Sequence, residues 1–426
     1  MTPPLVAPAP GAIPDDAALA ATLALVADAD ALATTPQDPG FHAEGDVWLH
    51  TRMAVAALVA DPAWAALDAT GRAITYAAVL FHDVGKPATT RHEPDGRITS
   101  RGHSARGEQA VRVALWRAGW PFAWREHVCA LVRSHQVPFY GVDRPDATAL
   151  ALRLSLVLRH DWLTVVATAD GAGRRCAAPG DQARILDQCA LWRTWCDELG
   201  VLTGPARFAD DHSRVMYLGD ASGTRSPTVP AYDDTVAEAV ILSGLPASGK
   251  STFLAAHPAL PQVSLDELRD ELDVDPADDQ ARVIMLARER AREHLRAGRP
   301  FAWNATNLSR SLRATLIELC RDYRFRTHVV YCEVDPAELT RRNRARPEAT
   351  RVPARAIERM LGRWAVPAPD EAHRVSYQVA RAADLGSRGL VAEPPSIPAK
   401  PGSSLPPGRE TGSGPIVTPT LSWPPA

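Results

Sequence analysis

Two sets of residues in this chain have the types and spacing to act on phosphate groups. The first is Gly244-Leu245-Pro246-Ala247-Ser248-Gly249-Lys250-Ser251-Thr252, directly after the apolar run Val240-Ile241-Leu242. It fits GxxxxGK followed by Ser or Thr, with the strand-before, helix-after context that the motif requires. Glycines there let backbone N–H groups wrap nucleotide phosphates at a helix N-terminus. Lys250 is placed to reach the β and γ phosphates, and Ser251 to ligate Mg²⁺. The competing reading, an ordinary glycine-rich βα turn, accounts poorly for the complete motif with correct flanks.

Downstream, Ser264-Leu265-Asp266-Glu267-Leu268-Arg269 begins a helix. Asp266 could accept the proton of an attacking hydroxyl, and Arg269, one turn on, could bind an acceptor phosphate. The same residues also read as a capping box, Ser264 at the N-cap and Glu267 at N3, which leaves Asp266 free. Arg342 and Arg346 are four apart, so on a helix they share a face and could close over a nucleotide. A solvated basic helix is the alternative for such a charge run.

The second set lies in the first half. His82-Asp83 ends an apolar helical segment and is followed by Val84-Gly85-Lys86-Pro87, a helix stop. His50 lies upstream, after His42, Glu44 and Asp46, while His103, His135 and Asp170 lie downstream. Any one of these histidines reads equally as a core or surface group. Imidazole and carboxylate together suit borderline transition metals better than Ca²⁺.

The elements that must position these residues fall into two kinds. From Asp15 to about Arg214, apolar residues recur three and four apart, as in Ile74, Ala77, Ala78 and Phe81, with no convincing alternating strand. That pattern predicts an all-α domain over 15–215. Leu218 to Asp234 has linker composition, giving a linker over 216–235. Over 236–385, short apolar runs at 240–242, 301–303 and 328–332 alternate with helical stretches at 278–297 and 311–322. This predicts an α/β domain with a parallel sheet. Residues 1–14 read as a Pro/Ala tail with nothing to pack, and 386–426, rich in Pro, Gly and Ser, as a disordered tail.

Composition sets outer limits. With 426 residues, 46% hydrophobic and 23% charged, a wholly disordered or fibrous chain is excluded. The net charge of −3 excludes a globally basic nucleic-acid coat but not a local basic groove. No run of 18 apolar residues occurs and the N-terminus lacks a basic signal-peptide start, so a cytoplasmic protein without a membrane partner is expected. The six cysteines form no CxxC pair and read as reduced core residues. Lysine occurs only at 86, 250 and 400, and two of the three fall inside the candidate motifs.

Residues 236–380 resemble the P-loop kinase domain of polynucleotide 5′-kinases. The resemblance rests on GLPASGKST, Asp266-x-x-Arg269, Asn304-Ala305-Thr306-Asn307, and Arg342-Asn343-x-x-Arg346 followed by Val352-Pro353 and Arg359-Met360. It implies Asp266 as general base for a 5′-hydroxyl, Arg269 as contact to the acceptor's phosphate, and Arg342 and Arg346 as lid residues. Many relatives carry Asp where this chain has Asn304, which leaves Ser251 as the protein ligand expected for Mg²⁺. Residues 40–215 resemble the HD phosphohydrolase superfamily, whose motif reads H…HD…D around a metal. That resemblance implies His50, His82, Asp83 and Asp170 as ligands of one metal, His103 and His135 as ligands of a second, and Lys86 as a contact to a phosphate oxygen. His42 and Glu44 are similar to residues preceding the first ligand in HD domains of some tRNA nucleotidyltransferases, although no nucleotidyltransferase signature accompanies them.

The two halves in one chain resemble bacterial HD-Pnk type end-healing enzymes. The resemblance implies metal-dependent removal of a 2′- or 3′-phosphate or 2′,3′-cyclic phosphate, and NTP-dependent phosphorylation of 5′-hydroxyl ends. Its cofactors would be Mg²⁺ with ATP or another NTP in the kinase half, and Ni, Co, Mn, Zn or Cu in the helical half. Broken RNA or DNA ends would be the substrates, with a separate ligase as a further partner. No aromatic stacking array is evident, so modest, salt-dependent affinity for nucleic acid is expected. Two alternatives stay open: a nucleotidase joined to a nucleoside or antibiotic kinase, and an ATP-gated switch controlling an HD effector.

Overall fold

The computed structural model describes residues 4–380, apart from 221 and 277. The expected tail over 386–426 lies outside the described residues. The chain divides into two compact units, one reaching to Asp233 and including Leu361–Asp370, the other formed by Asp234–Met360 and the segment from Glu371.

The first unit is built from helices. Val47–Ala60, Ala69–Phe81, Phe122–Ser134 and His160–Ala172 surround a core that includes Val55, Leu58, Phe81, Leu131, Val132, Trp162 and Val166. Their starts follow capping chemistry: Asp46 and Asp68 each accept from a backbone N–H in the first turn. Residues 147–172 form two helices, Ala147–Leu154 and His160–Ala172. Two features depart from the expectation of an all-α domain preceded by an unpacked tail. Arg91–His92 (β1) and Ile98–Thr99 (β2) pair as a short antiparallel hairpin, too short for period-2 alternation to show. Leu5 and Ala7 pack against the core and Gly11 donates its N–H to Val59 O at 2.7 Å, so the N-terminal segment does find a surface.

The second unit is a five-stranded parallel sheet with helices between the strands. Ala237–Ser243 (β3), Gln262–Ser264 (β4), Phe301–Asn304 (β5), Phe325–Val334 (β6) and Arg374–Ala380 (β7) run in the order β4-β5-β3-β6-β7. Along β3, Ala239 and Ile241 enter one apolar cluster with Val283, Ala287 and Ala291, while Val240 and Leu242 enter another with Ala302 and Val330. A central parallel strand buried on both faces therefore reads as a continuous apolar run. Among the described residues, no helix is long and apolar enough to cross a membrane.

Candidate functional site

Chain termini of helices and strands bring the chemistry together in each unit. In the helical unit, His82 is the residue just past Ala69–Phe81, His135 the residue just past Phe122–Ser134, and His103 opens His103–Arg117. His50 and Asp170 instead project from within Val47–Ala60 and His160–Ala172. Gly85 permits the closure: a Cβ there would lie 2.1 Å from His103 O, so the turn after Asp83 can touch the His103 backbone only as glycine.

All six side chains expected to hold metals are buried and meet at one cluster. His50 Nε2 lies 3.1 Å from Asp170 Oδ1, 3.2 Å from His82 Nε2 and 3.8 Å from Asp83 Oδ2. His103 Nε2 lies 3.4 Å from both Asp83 Oδ1 and His135 Nε2, and His135 Nε2 lies 3.8 Å from Asp170 Oδ2. Lys86 Nζ is 2.7 Å from Asp83 Oδ2 and also donates to Gln37. Arg174, which the sequence did not single out, grips Asp170 with three contacts of 2.9–3.0 Å.

The donor set fits a cation. His82, His103 and His135 each place Nδ1 at 2.6–2.8 Å from a backbone oxygen, of Val79, Ser100 and Val132 respectively. A carbonyl can only accept, so Nδ1 carries the proton and each Nε2 turns a lone pair inward. The Nε2 atoms of His103 and His135 therefore face each other with no hydrogen between them, beside the buried Asp83 carboxylate, in a site that favours positive charge. The titration behaviour agrees. Burial opposes ionisation of Asp83, yet the neighbouring His82 ring overcomes it and holds the carboxyl well below the usual carboxylate range. Burial likewise opposes Asp170, and Arg174 prevails in the same direction. Burial lowers His82, but Asp83 outweighs it and raises the group, whereas burial pushes His135 down to about 3. His50, His82, Asp83 and Asp170 could hold one ion, and Asp83, His103 and His135 another.

In the second unit, residues 244–249 form the loop between β3 and the helix Lys250–Ala255. Ala247 and Gly249 have φ of 64° and 115°, left-handed positions that turn successive N–H groups to one side. A Cβ on Gly244 would lie 2.3 Å from Cys332 O, so the loop can pass β6 only as glycine. Lys250 Nζ donates to Gly244 O and Leu245 O, and burial lowers its pKa to about 8. Ser248, Gly249, Thr252, Phe253, Arg342 and Gln378 line a small open cleft beside this loop.

The remaining predicted residues are placed as follows. Asp266 and Arg269 form an ion pair on the helix Leu265–Leu272, with the Asp266 side chain 88% exposed and Arg269 also donating to Gln280. Ser264 caps that helix through Glu267 N–H, but the Glu267 carboxylate accepts from Gln262 instead of returning to Ser264, so only half of a capping box forms. Arg342 belongs to the helix Pro336–Arg344, where Glu338 accepts from its Nε at 2.5 Å. Arg346 lies beyond the end of that helix and donates to Thr350 O, so the two arginines do not share a helical face. Pro347 explains the early stop, since the residue before a proline is disfavoured in α geometry. Asn304 ends β5 and donates to Gln262, while Asn307 donates to Leu242 O behind the phosphate loop.

Comparison with known proteins follows this division. A family model described as an AAA domain matches residues 240–367. The CC-adding tRNA nucleotidyltransferase of Thermus thermophilus is 39% identical over 87 residues, 20% of this chain and 19% of that protein. The multifunctional CCA protein of Halorhodospira halophila is 35% identical over 128 residues, 30% of this chain and 28% of that protein. The chain thus spans less than a third of the length of either relative. A solved structure from Chloroflexus aurantiacus, described as a candidate kinase, aligns at 17% identity and a TM-score of 0.31, covering 37% of this chain and 91% of that one. The second unit thus carries an α/β P-loop domain of the nucleotide-binding kind that the AAA model describes.

Proposed function

We propose that the chain is a bifunctional nucleic-acid end-healing enzyme, with a 5′-hydroxyl polynucleotide kinase in the second unit and a metal-dependent phosphoesterase in the first. One observation carries the reading: a phosphate loop and a separate buried histidine–carboxylate cluster, each suited to phosphoryl chemistry, occupy different units of one chain. Adding and removing phosphate would be futile at one position and is productive at opposite ends of a broken strand. The name of one relative, the CC-adding tRNA nucleotidyltransferase of Thermus thermophilus, concerns tRNA, which favours a polynucleotide over a free nucleotide as substrate.

In the kinase unit, backbone N–H groups of 244–249 and Lys250 bind the donor's phosphates, and Ser251 would hold the Mg²⁺ that accompanies them. Asp266 accepts the proton of the 5′-hydroxyl, Arg269 binds the acceptor's phosphate, and Arg342, with Arg346 beyond the helix, offsets charge on the transferred group. In the helical unit, His50, His82, Asp83, Asp170, His103 and His135 would hold divalent transition metal, and Lys86 would bind a phosphate oxygen of the scissile group. The bound metal supplies an activated water and polarises the phosphoryl group.

The test is substrate choice: ATP-dependent labelling of a 5′-hydroxyl oligonucleotide against free nucleosides and aminoglycosides. Labelling of the oligonucleotide supports the proposal. Turnover of the small molecules alone would replace it with a nucleotidase joined to a small-molecule kinase.

A further inference from the structure

Resting on the metal reading of the histidine–carboxylate cluster, we propose that Glu44 is the positioning residue that aims His50 into it. The reason lies in where each histidine sits on its helix. His82 and His135 follow helix C-termini, where the last-turn carbonyls of Val79 and Val132 have no helical N–H to bond. His103 opens its helix and uses Ser100 O outside it. These three rings are therefore oriented by backbone. His50 stands inside Val47–Ala60, where carbonyls one turn back belong to the helical ladder and Val47 O also takes the Thr51 hydroxyl. A fully buried ring there needs a side-chain acceptor, and Glu44 Oε1 lies 3.0 Å from His50 Nδ1.

Glu44 is held in place from both sides. Its Oε1 also accepts from His42 Nδ1 at 2.8 Å, and its Oε2 accepts from the Arg175 N–H at 2.9 Å. Ala43 N donates to Arg175 O and Ala177 N to Gly40 O, clasping this loop to the segment that follows Asp170 and Arg174. The carboxylate thus links the element bearing His50 to the element bearing Asp170. His42, Glu44 and His50 are close enough to suggest a metal trio of their own. The geometry points the other way: both Glu44 oxygens are engaged, and His50 spends its Nε2 on Asp170 and His82. The Oε1 lies at ion-pair distance from His50 Nδ1 but off the N–H axis, so the contact is close without being an aligned hydrogen bond. A carboxylate behind a histidine ligand fixes its tautomer and raises its basicity.

The experiment uses the full chain as wild type, Glu44→Gln and Glu44→Ala, titrated with Co²⁺ and read by its visible absorption. Nitrogen NMR of the Zn²⁺-loaded protein reports the His50 tautomer, and circular dichroism with oligonucleotide kinase activity reports folding. The expected result is a loss of about 10–100-fold in Co²⁺ affinity for Glu44→Ala. Glu44→Gln, which keeps an oxygen acceptor, should lose less, and His50 should leave the Nδ1–H form in Glu44→Ala. Folded variants with wild-type Co²⁺ affinity and an unchanged His50 tautomer would overturn the positioning role while leaving the metal reading intact. No Co²⁺ binding by wild type would overturn the metal reading and the positioning role with it.

Discussion

Lys86 and Asp83 face each other across 2.7 Å with both side chains buried, one helical turn apart along the chain. Asp83 is the residue shared by both halves of the histidine cluster, so Lys86 sits where an extra positive charge meets the candidate metal ligands. Neither oxygen of Asp83 is tied up by a conventional hydrogen bond. Lys86 is held between Asp83 and Gln37, and an ammonium has a third proton to offer an incoming phosphate oxygen.

Lys86→Met should lower phosphoesterase turnover by about 100-fold, in line with loss of one charge-stabilising donor. Oligonucleotide kinase activity of the same preparation should stay within twofold of wild type, a threshold about the size of the uncertainty in single-contact energies. Hydrolysis of a 2′,3′-cyclic phosphate end at the wild-type rate would remove Lys86 from the site.

Nucleotide affinity should depend on pH through Lys250. Burial lowers this group to about 8 in the free protein, and a bound polyphosphate favours its charged form. Below pH 8 the ammonium is already present and affinity is flat. Above pH 8 binding must take up a proton, so affinity falls towards about tenfold per pH unit. Calorimetric ATP titrations from pH 7 to 9.5, in buffers of different ionisation enthalpy, measure both the slope and the proton.

Acid should weaken the helical unit by a route separate from its metal chemistry. Trp192 donates its indole N–H to His160 Nδ1, so that nitrogen must be an acceptor, and His160 Nε2 donates to Ala151 O at 2.9 Å. The neutral ring is satisfied on both sides, and burial lowers its pKa to about 4. The unfolded chain then takes up a proton first, near 6.5. Stability is full above pH 6.5 and is lost as pH falls towards 4, by about 3 kcal/mol at the limit. Thermal melts from pH 7 to 4 should show this slope, and His160→Gln, which cannot take up the proton, should flatten it.

The lid arginine should depend on a buried partner. Glu338, 5% exposed at its side chain, accepts from Nε of Arg342 and from two nitrogens of Arg341. That leaves the Nη groups of Arg342 facing the phosphate loop, where a Cβ on Gly249 would lie 3.6 Å from Nη1. Glu338→Gln should cut kinase turnover by about tenfold, the scale of one lost charge-assisted hydrogen bond. Steady-state kinetics at saturating donor separates that loss from an effect on KM.

How much of this was legible in the sequence follows from how local each feature is. The phosphate loop is a contiguous motif whose backbone geometry is set by its own residues, and it stands where the sequence places it. The six residues expected at the metals meet in one cluster, and the His82-Asp83 doublet is visible in the sequence because it sits at a helix end marked by Gly85 and Pro87. Arg174 stands four residues after Asp170, a helical spacing that marks an ion pair only once Asp170 is known to be buried, whereas the place of Glu44 depends on the clasp between 40–44 and 175–177, which no local pattern encodes. Strand β7 was missed because it is an edge strand whose residues are mostly half-buried, so it shows no apolar run. Arg346 was put on a helix because spacing alone was weighed, while Pro347 beyond it ends the helix first.

The central claim is that two independent sites act on opposite ends of one broken strand. It is tested most directly with an oligonucleotide bearing a 5′-hydroxyl and a 2′,3′-cyclic phosphate, incubated with ATP, Mg²⁺ and Co²⁺ and read at both ends by mass. The wild-type chain should gain phosphate at the 5′ end and lose it at the other. His82→Ala should abolish only the loss, and Lys250→Ala only the gain. If neither end changes while nucleosides or nucleotides turn over, the end-healing account is contradicted.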